Sequence, residues 1–416
     1  MLQGRKFPQE RNMTQGHDAP RLLQVFNQYL EAGGEELWVN RLMGLSNGSF
    51  TIDDLRFHSH DWVQRRAPAR PTQVKMLWNN PASRHRLRDE VKKVSPDVLI
   101  YHNLIPVASL GMYDEAQELG LPVIQYVHNF RPFSPTGTLW AGGQVEDAAL
   151  FGNPWPEVFR LPQHHGFLKT LVLAVLQSSL LKSGSLDVVK RWIAVSDFIK
   201  DRFIKGGIPA DRVVTLRHCW ELKEAPESKP EGDHYLFLGR LVREKGTRTL
   251  IEAWRILEDN LGDACPTLVI AGTGPDEATL HKLSDRLRKV VCIGYVSGRL
   301  KSELLSTCRA VLAPSLWWEP LGLIVHEAYS MERPVLAASS GGLTETVNSG
   351  VTGYLHAPGD AEGLAKDVMK LEEAGREGRR EMGKTGRLWL EKHANPEEWR
   401  KGFLGIVNDA IQEGGK

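Results

Sequence analysis

Short apolar runs alternate with helix-length amphipathic segments along this chain, and the whole pattern occurs twice. In the first half LLQVF (from Leu22), DVLIYHN (from Asp97), PVIQYVHN (from Pro122) and RWIAVS (from Arg191) read as buried strands. In the second half YLFLGR, LVIAG, VVCIGYV, AVLAPS and PVLAAS do the same. Strands that are apolar throughout and separated by helices fit parallel sheets covered by helices on both faces, because a parallel connection needs a crossover. Between the halves lies ELKEAPESKPEGDH, from Glu221, rich in Pro, Glu and Lys and poor in apolar residues, which marks a boundary.

The expected organisation is therefore a loose polar tail over 1–19, an α/β domain over 20–220 and a linker over 221–234. A second α/β domain follows over 235–394, and a closing helix over 395–416 packs back on the first domain. That helix offers Asn395 as N-cap and Pro396 at its first position, with Trp399, Phe403, Ile406 and Ala410 on one face. A formal net charge of +1 over 416 residues gives no basis for nucleic-acid binding. The four cysteines lack the paired spacing of a zinc site and are few for a disulfide scaffold, which points to a reducing compartment. The first twenty residues lack the apolar core of a signal peptide, so the expected location is cytoplasmic. FLKTLVLAVLQSSLL, from Phe167, is shorter than the roughly 20 residues of a membrane span and contains Lys169, so it reads as a helix of a folded domain. The run from Arg65 to Lys93 carries many more Arg and Lys than Asp and Glu. It reads either as a solvated basic face or, with the helix from Phe167, as a peripheral contact with the anionic inner face of a membrane.

Open parallel sheets bind ligands at the carboxyl ends of their strands, so the residues that follow each strand are the candidates. After AVLAPS comes WWEPLGLIVHEAYS, in which Pro320 and Gly322 form a turn and a helix begins near Leu323. The free amides at such a helix start bind an anion, most simply phosphate. Glu319 precedes the turn and Glu327 lies one turn inside the helix, placed for sugar hydroxyls and for a ribose-like diol respectively, since carboxylates accept several O–H donors at once. Arg240 and Lys245, in RLVREKG after YLFLG, are placed to clamp a diphosphate. Gly33 and Gly34 stand between the first strand and first helix, where the backbone can approach a ligand; the full G-x-G-x-x-G of a dinucleotide enzyme is absent. His128 and His102 end two strands; His128 is read as a cleft residue and His102 as a structural one. No group of Asp, Glu and His has metal-ligand spacing.

These residues resemble a known family. EPLGLIVHE matches the E-x7-E motif of GT-B glycosyltransferases, and RPVLAASSGGLTETVNSGVTGYLHAPGD resembles the corresponding stretch of family 4, "glycosyl transferases group 1". FLGRLVREKG is similar to its phosphate-binding segment, AGGEE to its N-terminal glycine loop and IAVSDFIKDRFIKGGIPADRVVTL to its approach to the hinge. The resemblance covers most of residues 20 to 410 and implies the GT-B fold, two Rossmann-like domains facing across a cleft. It implies retaining, metal-independent transfer of a sugar from a UDP- or GDP-linked donor, with no cofactor besides that donor substrate. By the same resemblance Arg240 and Lys245 bind the diphosphate, Glu319 the sugar hydroxyls and Glu327 the ribose. Leu321 and Gly322 offer amides to the sugar, Leu323 and Ile324 to the phosphates, Tyr295 and Val296 grip the base, and His128 lies near the transferred sugar. The loop HNFRPFSPTGTLWAGGQVED resembles those of enzymes that build bacterial surface polysaccharides, which implies a saccharide or lipid-linked saccharide acceptor. Two departures are the bulky pair Trp317 and Trp318 before Glu319, and LRHCW around His218 at the hinge. A nucleotide-sugar epimerase of this architecture and a non-catalytic nucleotide-sugar binder are the competing readings.

Overall fold

The computed structural model describes residues 19–30, 33–64, 67–160, 166–222 and 230–415. All but residue 19 of the expected tail, and residues 223–229 of the expected linker, lie outside these residues.

The first sheet is built from β1 (Arg21–Gln28), β2 (Thr51–His58), β3 (Val98–Tyr101), β4 (Val123–Val127), β5 (Val189–Ala194) and β6 (Val213–Thr215). The second contains β7 (His234–Leu238), β8 (Thr267–Ala271), β9 (Val290–Gly294), β10 (Val311–Ala313), β11 (Val335–Ala338) and β12 (Gly353–His356). Every pairing in both sheets is parallel, in the orders β2-β1-β3-β4-β5-β6 and β9-β8-β7-β10-β11-β12. In each sheet the winding reverses direction, between β1 and β3 in the first and between β7 and β10 in the second. The crevices at those two points are where open sheets accept ligands. The helices used below are α1 (Gly34–Gly44), α2 (Pro81–Val94), α3 (Trp155–Phe159), α4 (Phe167–Ser183), α5 (Asp197–Lys205), α6 (Thr247–Leu261), α7 (Gly298–Thr307), α8 (Leu323–Ser330), α9 (Leu343–Thr346) and α10 (Pro396–Gly414).

Three strands differ from the sequence reading. β2, TIDDLRFH, is an edge strand whose outward residues are polar, so it shows no continuous apolar run. β6 and β12 are also edge strands, short and only partly buried, and give equally weak signals. VVCIG forms β9 as expected but is not buried on both faces: Val291 and Ile293 are exposed, because β9 is the edge of its sheet.

α10 returns to the first domain. The Asn395 side chain accepts the amides of Glu397 and Glu398, fixing where the helix starts. Trp399, Phe403, Ile406, Val407 and Ala410 enter the first-domain core, where Phe403 meets Phe50 at 5.3 Å between ring centroids. Arg191 of β5 pairs with Glu413 at 2.7 Å. The helix thus covers β3, β4 and β5, a face that would otherwise meet water. Phe403 is fully buried, so Phe403→Ala should lower the unfolding free energy by about 3 to 5 kcal/mol, the range for a buried Phe truncated in a packed core. Urea unfolding checks this; an unchanged midpoint would mean the helix does not hold the first domain.

Candidate active site

The turn between β10 and α8 carries the residues singled out from the sequence. Gly322 takes φ 82° as the N-cap of α8, and a Cβ there would meet Leu343 Cδ2 at 2.6 Å, so only glycine fits. Beneath the turn, Gly341 comes so close that a Cβ would lie 2.2 Å from the Glu319 carbonyl, while the Gly342 amide donates to that carbonyl at 2.7 Å. The sequence reading missed this supporting glycine pair. The Leu323 and Ile324 amides, the first two of α8, have no intrahelical acceptors by helix geometry, while the Val325 amide donates to the Gly322 carbonyl at 2.9 Å; the helix follows β10, which borders the switch point of the second sheet.

Glu319 is nearly buried and fully engaged. Both its oxygens accept from Lys245 Nζ at 2.8 Å, and Oε2 also accepts from Ser315 Oγ at 3.0 Å and Trp317 Nε1 at 2.9 Å. Trp317 is therefore part of the cradle of this carboxylate. Lys245 and Glu319, assigned by resemblance to different parts of a donor, are joined directly. Glu327 has a lysine of its own: Lys301, on α7, lies 2.7 Å from it. Lys301 was not singled out, because nothing local in the sequence ties α7 to α8. Arg240 is exposed in the loop after β7. Tyr295 is 75% exposed after β9, with Val296 buried beside it.

The turn is also held by the first domain. Leu321 packs into the first-domain core, and Trp318 turns away from Glu319 to lie 5.2 Å from Phe198, 6.1 Å from Phe130 and 4.9 Å from the Arg202 guanidinium. Ser196 Oγ donates to the Pro320 carbonyl at 2.7 Å. Glu345, on α9, accepts the Asp197 amide at 3.0 Å and is paired with Arg217 at 2.7 Å. Gly34 faces Leu323 so closely that a Cβ would come 3.2 Å from its Cδ1, while nothing stands near the corresponding position of Gly33. Gly33 serves as the N-cap of α1. The bulk of Trp318, a departure from the family pattern, thus ties the domains together and does not fill the turn.

In the first domain, His128 Nε2 lies 2.9 Å from His102 Nδ1, and the His128 ring stacks on Tyr126 at 4.8 Å. His102, expected to be structural, therefore orients His128. His218 lies on Trp38 at 3.9 Å and 5.5 Å from His128. Burial holds all these imidazoles neutral, pushing His102 down to about 3 and His128 and His218 well below their usual range. The sequence reading also missed Glu35, which follows the glycine pair. Its carboxylate accepts from Tyr29 Oη at 3.0 Å, the Asn103 amide at 3.0 Å and Asn129 Nδ2 at 3.2 Å. With His102, His128, Arg131 and Gln177 it lines a cavity of about 40 Å³. His102 Nε2, His128 Nδ1, Arg131 Nε and Gln177 Oε1 are buried there without partners among the described residues, so a largely apolar cavity offers a few polar atoms that could meet hydroxyl groups.

Two facing parallel sheets, with this turn at the crevice between them, define the GT-B class of glycosyltransferase fold. The family described as Glycosyl transferases group 1 matches residues 220–389, and that described as Glycosyltransferase Family 4 matches residues 49–220. The chain is 26% identical over 271 residues to alpha-D-kanosaminyltransferase of Streptomyces kanamyceticus, covering 64% of each. It is 31% identical over 332 residues to sulfoquinovosyl transferase SQD2 of Arabidopsis thaliana, covering 78% of this chain and 58% of that protein. The matches thus span 58 to 64% of the length of these relatives. Among solved structures, Anabaena Alr3699/HepE in complex with UDP and glucose superposes with a TM-score of 0.63 at 16% identity, over 94% of this chain and 99% of that one. The chain belongs to the family 4, group 1 glycosyltransferases.

Burial raises the Glu35 carboxyl from 4.5 to about 7. The folded state thus holds this proton more tightly than the unfolded chain, and the contribution of Glu35 to stability falls as pH rises from 4.5 to about 7, staying flat above. Glu35→Gln should therefore gain stability relative to wild type between about pH 5 and pH 8, measured by urea unfolding at both. A difference independent of pH would mean that Glu35 is ionised freely.

Proposed function

We propose that the protein transfers a sugar, with retention of configuration and without a metal, from a UDP- or GDP-linked donor to a saccharide or lipid-linked saccharide acceptor. The observation that carries this reading is the turn at residues 319–323, which sets a buried, lysine-held carboxylate beside the open amide end of α8 at the sheet's switch point. Such an arrangement suits a sugar diphosphate: amides and cations for the phosphates, a carboxylate for hydroxyls on the adjoining sugar. Lys245 and Arg240 are the groups that would neutralise charge growing on the leaving diphosphate. Glu327 and Lys301 would meet the ribose, and Tyr295 and Val296 the base. On the other wall, His128, set by His102, would bond a hydroxyl near the transferred sugar. The family supports the reaction class, and the Anabaena relative of the same fold holds UDP and glucose.

A thermal-shift screen of nucleotide sugars identifies the donor, because a ligand bound only by the folded state raises the melting temperature. With that donor and no acceptor, a transferase gives at most slow hydrolysis; a new nucleotide sugar would instead favour an epimerase. Glu319→Ala should lower kcat by about 100-fold, the scale of losing a hydrogen-bonding group used in the transition state. Near wild-type turnover would remove Glu319 from the reaction. Activity should persist in excess EDTA, since the cations at 240 and 245 face the diphosphate; loss that magnesium or manganese restores would contradict the metal-independent reading.

A further inference from the structure

Phe151, Trp155, Phe159, Phe167 and Leu168 are between 43% and 73% exposed. They are gathered on α3, α4 and the turn before α3, with centroids 6.4 Å apart from Trp155 to Phe159 and again from Phe159 to Phe167. α4 continues the apolar surface through Val175, 47% exposed, and carries no acidic residue from Phe167 to Ser183. A contiguous exposed patch of this kind is a recognition surface or a liability in water, whereas single exposed side chains are ordinary.

The opposite face of the same helix reaches the active site. Gln177 donates to the carbonyls of Arg131 at 2.5 Å and Ser134 at 3.0 Å, and with Leu180 it lines the cavity that holds His128. Phe167 and Gln177 are separated by about 15 Å along the helix at 1.5 Å per residue. At the junction stand Arg131 and Lys169. No ion pair among the described residues engages either, and the charge of Arg131 reaches Lys169, which is exposed on α4. The acidic side chains near Arg131 are Glu35 and Glu157, and burial raises both carboxyls. Two neighbouring cations left in this state are relieved by an anion. The basic run from Arg65 to Lys93 is the weaker candidate for the same role, since Arg84 and Arg88 are already tied to Glu115 and Glu118 at 2.7 and 2.8 Å.

We propose that the α3–α4 face seats the apolar chain of an anionic lipid, whose charged group meets Arg131 and Lys169 at the edge of the first-domain cavity. This rests on the glycosyltransferase reading, in which His128 of that cavity lies near the transferred sugar, and narrows the acceptor to a lipid-linked one. A free phosphate would satisfy the cations but leave the aromatic rings in water. Apolar side chains flanked by Lys and Arg, with no acid on the helix, match the chemistry of an interface between anionic headgroups and acyl chains.

Sedimentation with phosphatidylcholine vesicles, with and without phosphatidylglycerol, tests this on the full chain, alongside UDP and GDP binding by calorimetry. The wild type should bind phosphatidylglycerol-containing vesicles at least tenfold more tightly than phosphatidylcholine alone. F159S/F167S/L168S should lose at least tenfold of that binding, and K169Q about fivefold, the scale of one basic residue near a charged surface. Because all four positions are exposed, the variants should fold and bind UDP or GDP as the wild type does. Vesicle binding unchanged in the triple variant, no binding by the wild type, or release by millimolar inorganic phosphate at constant ionic strength would overturn the proposal. So would a wild-type dimer that the triple variant abolishes without any vesicle binding, which would assign the face to a second copy. Intact binding of UDP or GDP with failed vesicle binding would remove the lipid while leaving the enzyme reading standing; absence of binding of both would count against the enzyme reading itself.

Discussion

The structure depends on one turn being held from two sides. The residues from Trp318 to Leu323 leave the second sheet, yet Leu321 sits in the core of the first domain and Trp318 lies against Phe130, Phe198 and Arg202. Ser196 holds the Pro320 carbonyl from the end of β5, and Gly341 and Gly342 support the turn from below. A carboxylate placed after a turn so constrained has little freedom. Glu319 is then fixed by Lys245, Ser315 and Trp317, so its position follows from packing in both domains at once.

Desolvation explains the polar groups around the cleft. His102, His128 and His218 are held neutral by their surroundings, and a neutral imidazole pair joined through one hydrogen bond presents one N–H and one lone pair at its two free nitrogens. Such a pair can donate to one hydroxyl and accept from another without gaining charge. Glu35 is shifted toward its protonated form by the same burial and gains the same dual capacity near neutral pH. The histidine and Glu35 part of the first-domain wall therefore suits neutral hydroxylated groups, with the cation Arg131 beside it. The second-domain wall, with Lys245, Arg240 and the open end of α8, suits phosphate. The division follows from where charge is solvated and where it is buried.

Much of the fold was legible because burial on both faces leaves continuous apolar runs, as in VLIY and VLAA. The edge strands were harder to read: β2 alternates polar and apolar residues, and β6 is only three residues long. The helix at Pro396 was legible down to its cap, because Asn followed by Pro has one favourable local geometry. At the site, the turn and its two glutamates were visible as a local motif. Lys301, Glu35, Ser196 and Gln177 were not, since each acquires its meaning from a partner far along the chain: Glu327, Asn103, Pro320 and Arg131.

What the sequence determined by itself is the set of local events: two parallel-sheet domains, the open start of α8 after Gly322, and the placing of Glu319 and Glu327 around it. Backbone sterics and hydrophobic periodicity act over a few residues, so they can be read without partners. Only the tertiary structure decided that Trp318 points into the other domain, that Lys245 meets Glu319, that His102 orients His128, and that α4 turns one face to the cavity and another to solvent. Those outcomes depend on desolvation and packing between segments up to hundreds of residues apart, and no local pattern of residues encodes such distances.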